Sequence, residues 1–564
     1  MDNQSRKWQA WLLWLIPLSF ILVFFYQPLA AIFRLVFSDQ FASGWQSFNS
    51  QQVLKPLGFT IWQALLSTLL TLLLGLPAAY IFSHFKFAGS RALRSLSLVP
   101  FILPTVVAAA AFNALLGPNG WLNLAAMRLF QLSTPPLKVL NSLPAILLVH
   151  VFYNISIIIR IVDSAWGRLS ERLSQAATML GASPLQRFKR VTLPLLSPAI
   201  LGAALLVFLF DFTSFGVVLM LGGPGFATLE VEIYTQTMMY LNLLVAGLLS
   251  IVQLAFTLLL TFLYNRMTQQ RFGKFALASE ERNLRKPKKR LEKLGVIVLS
   301  IILVVLILLP LLSLAARSMF ILDAARGERG EVKTGFTLAY YRMLFENPTG
   351  SLFYVPPIRA IHNSLGYALA TVLLTTVLGI LTAYAVVRSG RMSRWVEPFI
   401  SLPLGASAVT MGLGFIVVFN HPPWMNTKFP LLIPIAHTLI ALPLSLRTLL
   451  PALRGIPETL RQSARVMGAD PWQVFSKVDL PILLRAVLVS MVFSLTVSLG
   501  EFGAASFLSS VQRPTVPIAI YRYISMPGST NYGQALAMST LLMLVCSGGV
   551  FLIEKIKLPG EELF

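Results

Sequence analysis

Two acidic residues, Asp211 and Glu501, lie within long apolar stretches of this 564-residue chain. A charge at the centre of a bilayer costs about 2.5–3.5 kcal/mol on insertion scales, so it needs a partner, a cavity or a function. Carboxylates along a translocation path would favour a cationic solute. Alternatively, either residue lies at the outer membrane interface, where water or an arginine satisfies its charge. The sequence leaves both interpretations open.

An internal repeat relates the surroundings of these two acids, because Asp211 aligns with Ser498 and Glu501 aligns with Ser214. A three-residue shift is nearly one helical turn, so both acids can face one central axis. Most phenylalanines are expected to face lipid or the protein core, with Phe212, Phe215 and Phe502 as minor candidates for a gate. The candidate path residues are therefore Asp211, Ser214, Phe215, Ser498, Glu501 and Phe502.

Residues for other kinds of chemistry do not form a pattern in the sequence. The phosphate-binding pattern G-x-x-x-x-G-K-[ST] is missing, and its nearest candidate, Gly273-Lys274, lacks the first glycine. Histidines and cysteines do not cluster with the spacing of metal ligands. His150 and His437 lie in or near apolar stretches, where a hydrogen bond or packing is the simpler explanation. We therefore expect no catalytic residue, no metal site and no cofactor bound by this chain.

The composition indicates a bundle of membrane-spanning helices. Apolar residues make up 56% of the chain and charged residues 12%, against about 45–50% and about 25% in soluble proteins. The mean hydropathy is +0.73. These values exclude a soluble enzyme, a disordered regulator and a disulfide scaffold. The single cysteine, Cys546, allows no internal disulfide.

Twelve stretches are long and apolar enough to cross a bilayer, which takes about 20 residues of helix. They are 11–33, 60–83, 97–116, 143–162, 197–221, 242–264, 294–316, 364–387, 398–419, 431–450, 483–507 and 533–553. Membrane strands would need alternation of apolar and polar residues, which these stretches lack. The first stretch is too long for a signal peptide, so we keep it as an anchor. The sequence predicts an all-α polytopic membrane protein with about 12 transmembrane helices.

The basic residues set the expected orientation. With the N-terminus inside the cell, alternate loops hold 32 of the 45 basic residues, as the positive-inside rule requires. Both termini are thus expected to be cytoplasmic. The net charge of +23 then reflects orientation and contact with lipid headgroups, and no nucleic-acid partner is expected. The densest basic run, RKPKKR, falls in a predicted cytoplasmic linker between two halves.

The chain is a duplication. With a constant offset of 287, residues 150–234 align on 437–521 with 24 identities in 85 positions. We expect a first half at 1–265, the basic linker at 266–293 and a second half at 294–564. Each half contains six predicted spans, so the two repeats are parallel and related by a pseudo-two-fold axis along the membrane normal.

The strongest match between the halves is a predicted cytoplasmic loop, at about 168–196 in the first half and 455–483 in the second. The loops contain QAATMLGASPLQRFKRVTLPLL and QSARVMGADPWQVFSKVDLPIL. The pattern predicts a short helix ended by glycine, a turn, a second short helix, and a proline that breaks the helix at the membrane entrance. Its candidate contact residues are Gln175, Ala176, Ala177, Gly181, Ala182, Phe188 and Pro194, with Gln462, Ala464, Gly468, Ala469, Phe475 and Pro481.

This repeated pattern resembles the EAA loop of type I ABC importer permeases: EAA, three residues, Gly, nine residues, an aliphatic residue, any residue, then Leu-Pro. Both copies depart at the first position, where Gln175 and Gln462 replace glutamate, and the second copy has Ser463 for the first alanine. Docking would then rest on shape and helix-end hydrogen bonds. The resemblance covers nearly the whole chain. It is greatest to the fused two-half permeases of thiamine and ferric-iron importers, in LLVHVFYNISIIIR, DFTSFGVVLMLGGPGFATLEVEIY and SLGEFGAASFL.

The resemblance implies a permease of the cell inner membrane that is not itself an enzyme. In that family the two loops act as coupling helices on a pair of separate ABC ATPase subunits, which hold ATP and Mg. A binding protein delivers a small solute, here thiamine or ferric iron, to the outer face. The alternative is a 12-span ion-coupled secondary transporter, which also has two parallel six-helix halves.

Overall fold

A computed structural model describes residues 13–38, 49–169, 171–223, 225–272, 284–322, 335–346, 355–389, 396–397, 399–400, 402–419 and 431–556. These residues are almost wholly helical, and within them the only extended pairings are two isolated bridges, Phe85 with Arg285 and Phe320 with Phe336. The apolar runs close their backbone hydrogen bonds within each helix, as a bilayer requires. The all-α polytopic fold expected from the sequence is confirmed.

The first half contains thirteen labelled helices among the described residues. They are α1 (Leu13–Val36), α2 (Gln51–His84), α3 (Ser90–Leu96), α4 (Val99–Ile102), α5 (Thr105–Leu116), α6 (Trp121–Phe130), α7 (Leu143–Gly167), α8 (Glu171–Met179), α9 (Pro184–Arg187), α10 (Leu193–Phe212), α11 (Gly216–Leu221), α12 (Leu229–Met238) and α13 (Leu243–Phe272). A π-helical turn, Phe188–Thr192, joins α9 to α10.

The second half repeats this order. Its described helices are α14 (Arg290–Arg317), α15 (Ala339–Arg342), α16 (Pro357–Arg388), α17 (Ala408–Phe419), α18 (Leu432–Arg454), α19 (Glu458–Val466), α20 (Pro471–Val474), α21 (Leu480–Gly500), α22 (Gly503–Leu508), α23 (Val516–Ser525) and α24 (Ser529–Ile556). A 3₁₀ turn, Leu402–Gly405, precedes α17, and a π-helical turn, Phe475–Asp479, joins α20 to α21. Because α13 and α14 extend into the predicted linker 266–293, a non-helical linker there is at most 273–289, and residues 273–283 lie outside the described part.

Ten of the twelve predicted spans correspond to long apolar helices in the described residues. The third span is instead a bent pair of segments, Ser90–Ile102 and Thr105–Phe130, which meet at 109°. Pro104 lies at the bend and has no N–H to continue a helix. The ninth is represented by the 12-residue α17 after the turn that contains Pro403. The described residues therefore contain ten long apolar spans, or eleven if the bent pair counts as one.

The fifth and eleventh spans end earlier than the sequence predicts. Helix α10 stops at Phe212 and α21 at Gly500, and each is followed by a break and a six-residue helix. Asp211 thus lies in the last turn of α10, and Glu501 lies just beyond α21. At the second break the chain approaches Pro104 closely, and a β-carbon at Gly500 would lie 3.2 Å from Pro104 Cγ.

The predicted breaks at Pro194 and Pro481 are also wrong. Residues Pro184–Phe212 and Pro471–Gly500 each form one continuous helical run. The π-helical turn just before each proline widens the helix, and the proline then occupies the first turn of the next segment, where its missing N–H costs little. The same device occurs at the same place in both repeats.

The two halves interlock. Helix α1 of the first half packs against α17 of the second, and α14 packs against α5. The α1 contact is close, because a β-carbon at Gly414 would lie 2.9 Å from Pro28 Cβ. Within each half, the corresponding pairs α2–α7 and α16–α18 form the main packing interface. Helices α10 and α21, which follow the repeated loops, pack against these equivalent helix pairs in the two halves.

Candidate functional site

A cavity of about 460 Å³ lies between the two halves. Its walls include α10 from Leu206 onward and α21 from Phe493 onward, up to the breaks after those helices. Both helices begin at the repeated loops, so the cavity extends from the breaks toward the loop end of the molecule. Aromatic side chains on its walls include Phe101, Tyr153, Phe210, Tyr264 and Phe493.

Four aromatic residues form a symmetric cluster at the breaks. Phe215 stacks on Phe502 with ring centroids 5.3 Å apart. Tyr234 lies 5.4 Å from Phe215, and Tyr521 lies 5.5 Å from Phe502. Each residue of the first half is the repeat partner of the one in the second, at an offset of 287. The Phe215–Phe502 stack therefore lies between the halves, at the end of the cavity away from the loops.

In the first half, His150 of α7 lies between an acid and a serine. Its Nδ1 is 3.3 Å from Asp211 Oδ1, and its Nε2 is 2.8 Å from Ser214 Oγ. Asn154 Nδ2 donates a hydrogen bond of 2.7 Å to the same Asp211 oxygen. Asp211 Oδ2 has no hydrogen bond of standard geometry within the described residues, although Ser67 adjoins the carboxylate. This carboxylate is 1% exposed and lines the cavity.

The second half places His437 of α18 in the same way. Its Nδ1 is 2.7 Å from Ser498 Oγ, and its Nε2 is 3.2 Å from Glu501 Oε2. Backbone N–H groups of Ala504 and Ala505 donate to the Glu501 carboxylate at 2.8 and 3.0 Å. Glu501 is 8% exposed and lines the same cavity. The carboxylate thus caps α22 while one edge faces the cavity.

A third buried acid, Glu230 at the start of α12, also lines the cavity. Gln253 Nε2 donates a hydrogen bond to its Oε1. The repeat partner of Glu230 is Pro517, so this carboxylate belongs to the first half alone. We did not single out Glu230 in the sequence, because it follows a Gly-rich turn expected outside the membrane. The available signal was the pair Glu230 and Glu232, which alternate with apolar residues over 229–233.

The two repeated loops have the same backbone design. Gly181 and Gly468 adopt φ of +80° and +84°, and they end α8 and α19 respectively. The N–H of Ala182 donates to Ala177 O, and that of Ala469 to Ala464 O, both at 3.0 Å. This is the hydrogen-bond pattern of a Schellman motif, which requires a left-handed residue at the glycine. The alanines expected to leave room for a partner therefore also close the helix ends.

The following short helices begin with equivalent capping boxes. Ser183 N donates to Gln186 Oε1 at 2.9 Å, and Asp470 N donates to Gln473 Oε1 at 3.1 Å. In return, Gln186 N donates to Ser183 Oγ and Gln473 N to Asp470 Oδ1. Each box fixes the turn between the two short helices.

Apolar side chains cover the tips of both loops. The two residues before each glycine are the most exposed: Met179 and Leu180 are 90% and 88% exposed, and Val466 and Met467 are 88% and 80% exposed. We missed these residues in the sequence; two consecutive apolar residues before a helix-ending glycine were the signal. Large exposed apolar patches mark interaction surfaces.

The structure places the candidate loop residues together on each loop. Gln175, Ala176, Gln462, Pro194 and Pro481 are exposed, whereas Ala464 is buried. Phe188 is partly exposed, and Phe475 packs against Tyr384 and Trp472 with centroids 5.6 and 5.3 Å away. Of the candidate path residues, Asp211, Ser214, Phe215, Glu501 and Phe502 line the cavity. Ser498 lies behind them on His437.

Comparison with known proteins identifies the class to which this architecture belongs. A family model described as "Binding-protein-dependent transport system inner membrane component" matches residues 71–273 and again 375–556. The chain belongs to this family and contains two copies of its domain. It is a multi-pass membrane permease, and the predicted resemblance to fused ABC importer permeases is confirmed.

Several relatives are similar to this protein over most of its length. The thiamine transport system permease protein of Brucella abortus is 24% identical over 508 residues, covering 90% of this chain and 88% of that protein. The protein of the same description from Escherichia coli is 26% identical over 569 residues, covering 98% and 97%. A probable ABC transporter permease protein of Sinorhizobium fredii is 25% identical over 552 residues, covering 96% and 94%.

A solved bacterial ABC transporter involved in the import of the acidic polysaccharide alginate is also similar. It matches with a TM-score of 0.41 and 18% identity, over 48% of this chain and 98% of that chain. The family match and the permease relatives favour an ABC permease over the alternative, an ion-coupled secondary transporter. They also confirm a transport protein in place of an enzyme.

Proposed function

We propose that this chain is the permease of an ABC importer that moves thiamine, or an organic cation very like it, across the inner membrane. The observation that carries the proposal is the cavity between the two repeats, which is lined by carboxylates and aromatic faces. Its volume of about 460 Å³ lies in the usual range for small-molecule sites, about 300–1,000 Å³. Relatives described as thiamine permeases cover the chain nearly end to end.

The chemistry of the cavity suits such a solute. Thiamine carries a permanent positive charge on its thiazolium ring, and the ring is flat. Asp211, Glu230 and Glu501 place three carboxyl groups in a largely apolar setting. Aromatic faces add stacking and cation–π attraction, worth about 0.5–2 kcal/mol per contact. We assign the candidate residues Asp211, Ser214, Phe215, Glu501 and Phe502 to the translocation path on this basis, with Ser498 supporting it through His437.

The repeated loops supply the proposed contact with two ABC ATPase subunits. Each loop offers an exposed apolar tip on a rigid turn, closed by a Schellman motif and a capping box. ATP and Mg would bind in those subunits, and this chain would hold neither. The loops, both termini and the basic linker would face the cytoplasm. A substrate-binding protein would dock on the opposite face, beyond the Phe215–Phe502 stack.

Uptake by the reconstituted complex tests this function. The chain is coexpressed with its ATPase and binding protein, purified, and placed in lipid vesicles that contain ATP. We expect ATP-dependent uptake of radiolabelled thiamine that requires the binding protein. Vesicles loaded with a non-hydrolysable ATP analogue serve as the control.

The same vesicles test the ferric-iron alternative with ⁵⁵Fe(III) and the iron-loaded binding protein. Uptake of iron without uptake of thiamine would replace the proposed cargo and retain the importer. Uptake of either solute that runs without ATP would contradict the ABC mechanism itself.

A further inference from the structure

The two buried histidines occupy equivalent clusters whose acid and serine have changed places. His150 presents Nδ1 to Asp211 and Nε2 to Ser214. His437 presents Nδ1 to Ser498 and Nε2 to Glu501. The ring therefore has the same orientation in both halves. The carboxylate is on the Nδ1 side in the first half and on the Nε2 side in the second.

The acid and the serine exchange places at positions that are aligned between the two repeats. Asp211 and Ser498 are repeat partners, as are Ser214 and Glu501, at the constant offset of 287. Each cluster thus contains one histidine, one serine and one carboxylate. The residues behind the Nδ1 side are also related: Ser67 adjoins Asp211, while Thr371 Oγ1 is 3.2 Å from Ser498 Oγ. What the two halves share is the composition of the cluster, and what differs is the place of its negative charge.

Burying a carboxylate costs free energy unless other groups compensate for its lost contacts with water. Removing a charge from water costs several kcal/mol per ion, even after relaxation. Glu501 recovers part of this cost from two backbone N–H groups. Asp211 keeps one oxygen without a hydrogen bond of standard geometry in the described residues, and it lines the cavity. Asp211 therefore places a buried carboxyl group at the cavity wall.

We propose that the two clusters are the two parts of one cation-binding site, to which each half contributes a carboxylate held by its histidine. The proposal rests on the function proposed above and deepens it. Asp211 and Glu501 face the positive charge of the solute, one from each half, beside the Phe215–Phe502 stack. His150 and His437 are positioning residues. Because the imidazole offers a nitrogen on each side, either place in the cluster can hold the acid.

The first experiment neutralises each carboxylate in the reconstituted complex. D211N and E501Q keep the shape of the side chain and remove its charge. We expect each to raise the KM for ATP-dependent thiamine uptake about tenfold or more, since truncating a buried charge contact costs a few kcal/mol. ATPase stimulation by the binding protein should persist. D163N is the matched control, because Asp163 is a buried acid paired with Arg94 at 3.2 Å, outside the cavity lining.

The preference for a charged over a neutral inhibitor distinguishes a binding role of the two carboxylates from a purely structural one. A neutral analogue, with thiophene in place of thiazolium, should inhibit the wild-type complex far more weakly than a methylated thiazolium analogue does. In D211N and E501Q this preference should fall about tenfold. An unaltered preference in both variants would overturn the proposal.

The exchange itself supplies the sharpest test. D211S/S214E gives the first half the arrangement of the second, and S498D/E501S gives the second half that of the first. We expect each double variant to restore the KM to within about threefold of wild type, while D211S and E501S alone stay impaired. Failure of D211S/S214E to improve on D211S, with both complexes intact by size-exclusion chromatography, would overturn the exchange.

The two proposals fail differently. If the wild-type complex with its binding protein takes up no thiamine, the proposed function fails. If it takes up thiamine and the neutralised variants keep both KM and charge preference, the function stands and the cation site fails.

Discussion

The two repeated loops share a backbone design and differ in how they are attached to the helix bundle. Both have a left-handed glycine, a Schellman motif, a capping box and a π-helical turn. In the second loop a buried ion pair ties the loop to its half. Arg461 Nε lies 2.8 Å from Asp479 Oδ1, and Tyr384 OH donates to Asp479 Oδ2 at 2.7 Å. The equivalent positions of the first loop are Ser174 and Thr192, which cannot form an ion pair.

This difference separates two roles within one motif. The repeated features shape the turn and expose its apolar tip in both loops. The ion pair fixes the second loop to the base of α21, and the residues at the equivalent positions of the first loop are uncharged. We infer that the exposed surface of the loop is kept the same in both halves, whereas the attachment of the loop to the helix bundle differs between them.

The largest expected effect comes from breaking the second attachment. D479N leaves Arg461 at a buried site without its main counter-charge, and loss of one partner of a buried pair costs about 3–5 kcal/mol. The melting temperature of the detergent-purified complex should fall clearly. T192V changes the equivalent position of the first loop and should cost under about 0.5 kcal/mol. Equal shifts for the two variants would show that the loops are attached alike.

A second comparison concerns the glycines that allow α2 and α16 to pack closely. A β-carbon at Gly75 would lie 2.6 Å from Ile158 Cγ2, while one at Gly379 would lie 2.8 Å from Ser445 Oγ. Ile158 and Ser445 are repeat partners. Overpacking against a branched, buried isoleucine costs about 1–3 kcal/mol. A serine hydroxyl can move aside at the cost of its hydrogen bond to Ser490 Oγ, which is worth about 0.5–1.5 kcal/mol. G75A should therefore lower the melting temperature more than G379A, and the reverse order would contradict this packing.

The loop glycines should respond equally. No atom lies within 4 Å of a β-carbon built at Gly181 or Gly468, so only the positive φ is strained. The cost is about 1–2 kcal/mol for alanine. G181A and G468A should each weaken copurification with the ATPase, and asparagine, which tolerates this conformation, should restore part of it. A large difference between G181A and G468A would show that one loop carries most of the docking.

The smallest effect expected is at the capping boxes. Asp470 Oδ1 accepts two N–H bonds of 2.8 Å, while Ser183 Oγ accepts one of 3.3 Å. Loss of a cap costs about 1 kcal/mol, and D470A should exceed S183A within that scale. Hydrogen exchange of the following short helix measures this directly. Faster exchange after S183A than after D470A would contradict the assignment.

The sequence carried much of this fold because its strongest signals are local. Apolar length defined ten spans, and the glycine, proline and offset of 287 defined both loops. Where the prediction failed, the cause was tertiary or lay at a proline. Pro104 bends the third span, whereas Pro194 and Pro481 are accommodated by π-helical turns that spacing does not reveal.

The candidate site shows the same division. The repeat alignment paired Asp211 with Ser498 and Ser214 with Glu501, because duplicated positions share an environment. It did not pair them with the histidines, since α7 and α10 meet only in the folded bundle. Glu230 was missed because a segment that looks like an outer turn folds back to line the cavity.

We propose that each of the two equivalent loops on this chain binds one ATPase subunit. The mass of the intact complex, measured by native mass spectrometry after coexpression, tests it most directly. We predict one copy of this chain with two copies of the ATPase, and loss of one copy when Met179 and Leu180 are both changed to aspartate. A complex with a single ATPase copy in the wild type, or full occupancy in that variant, would contradict the account.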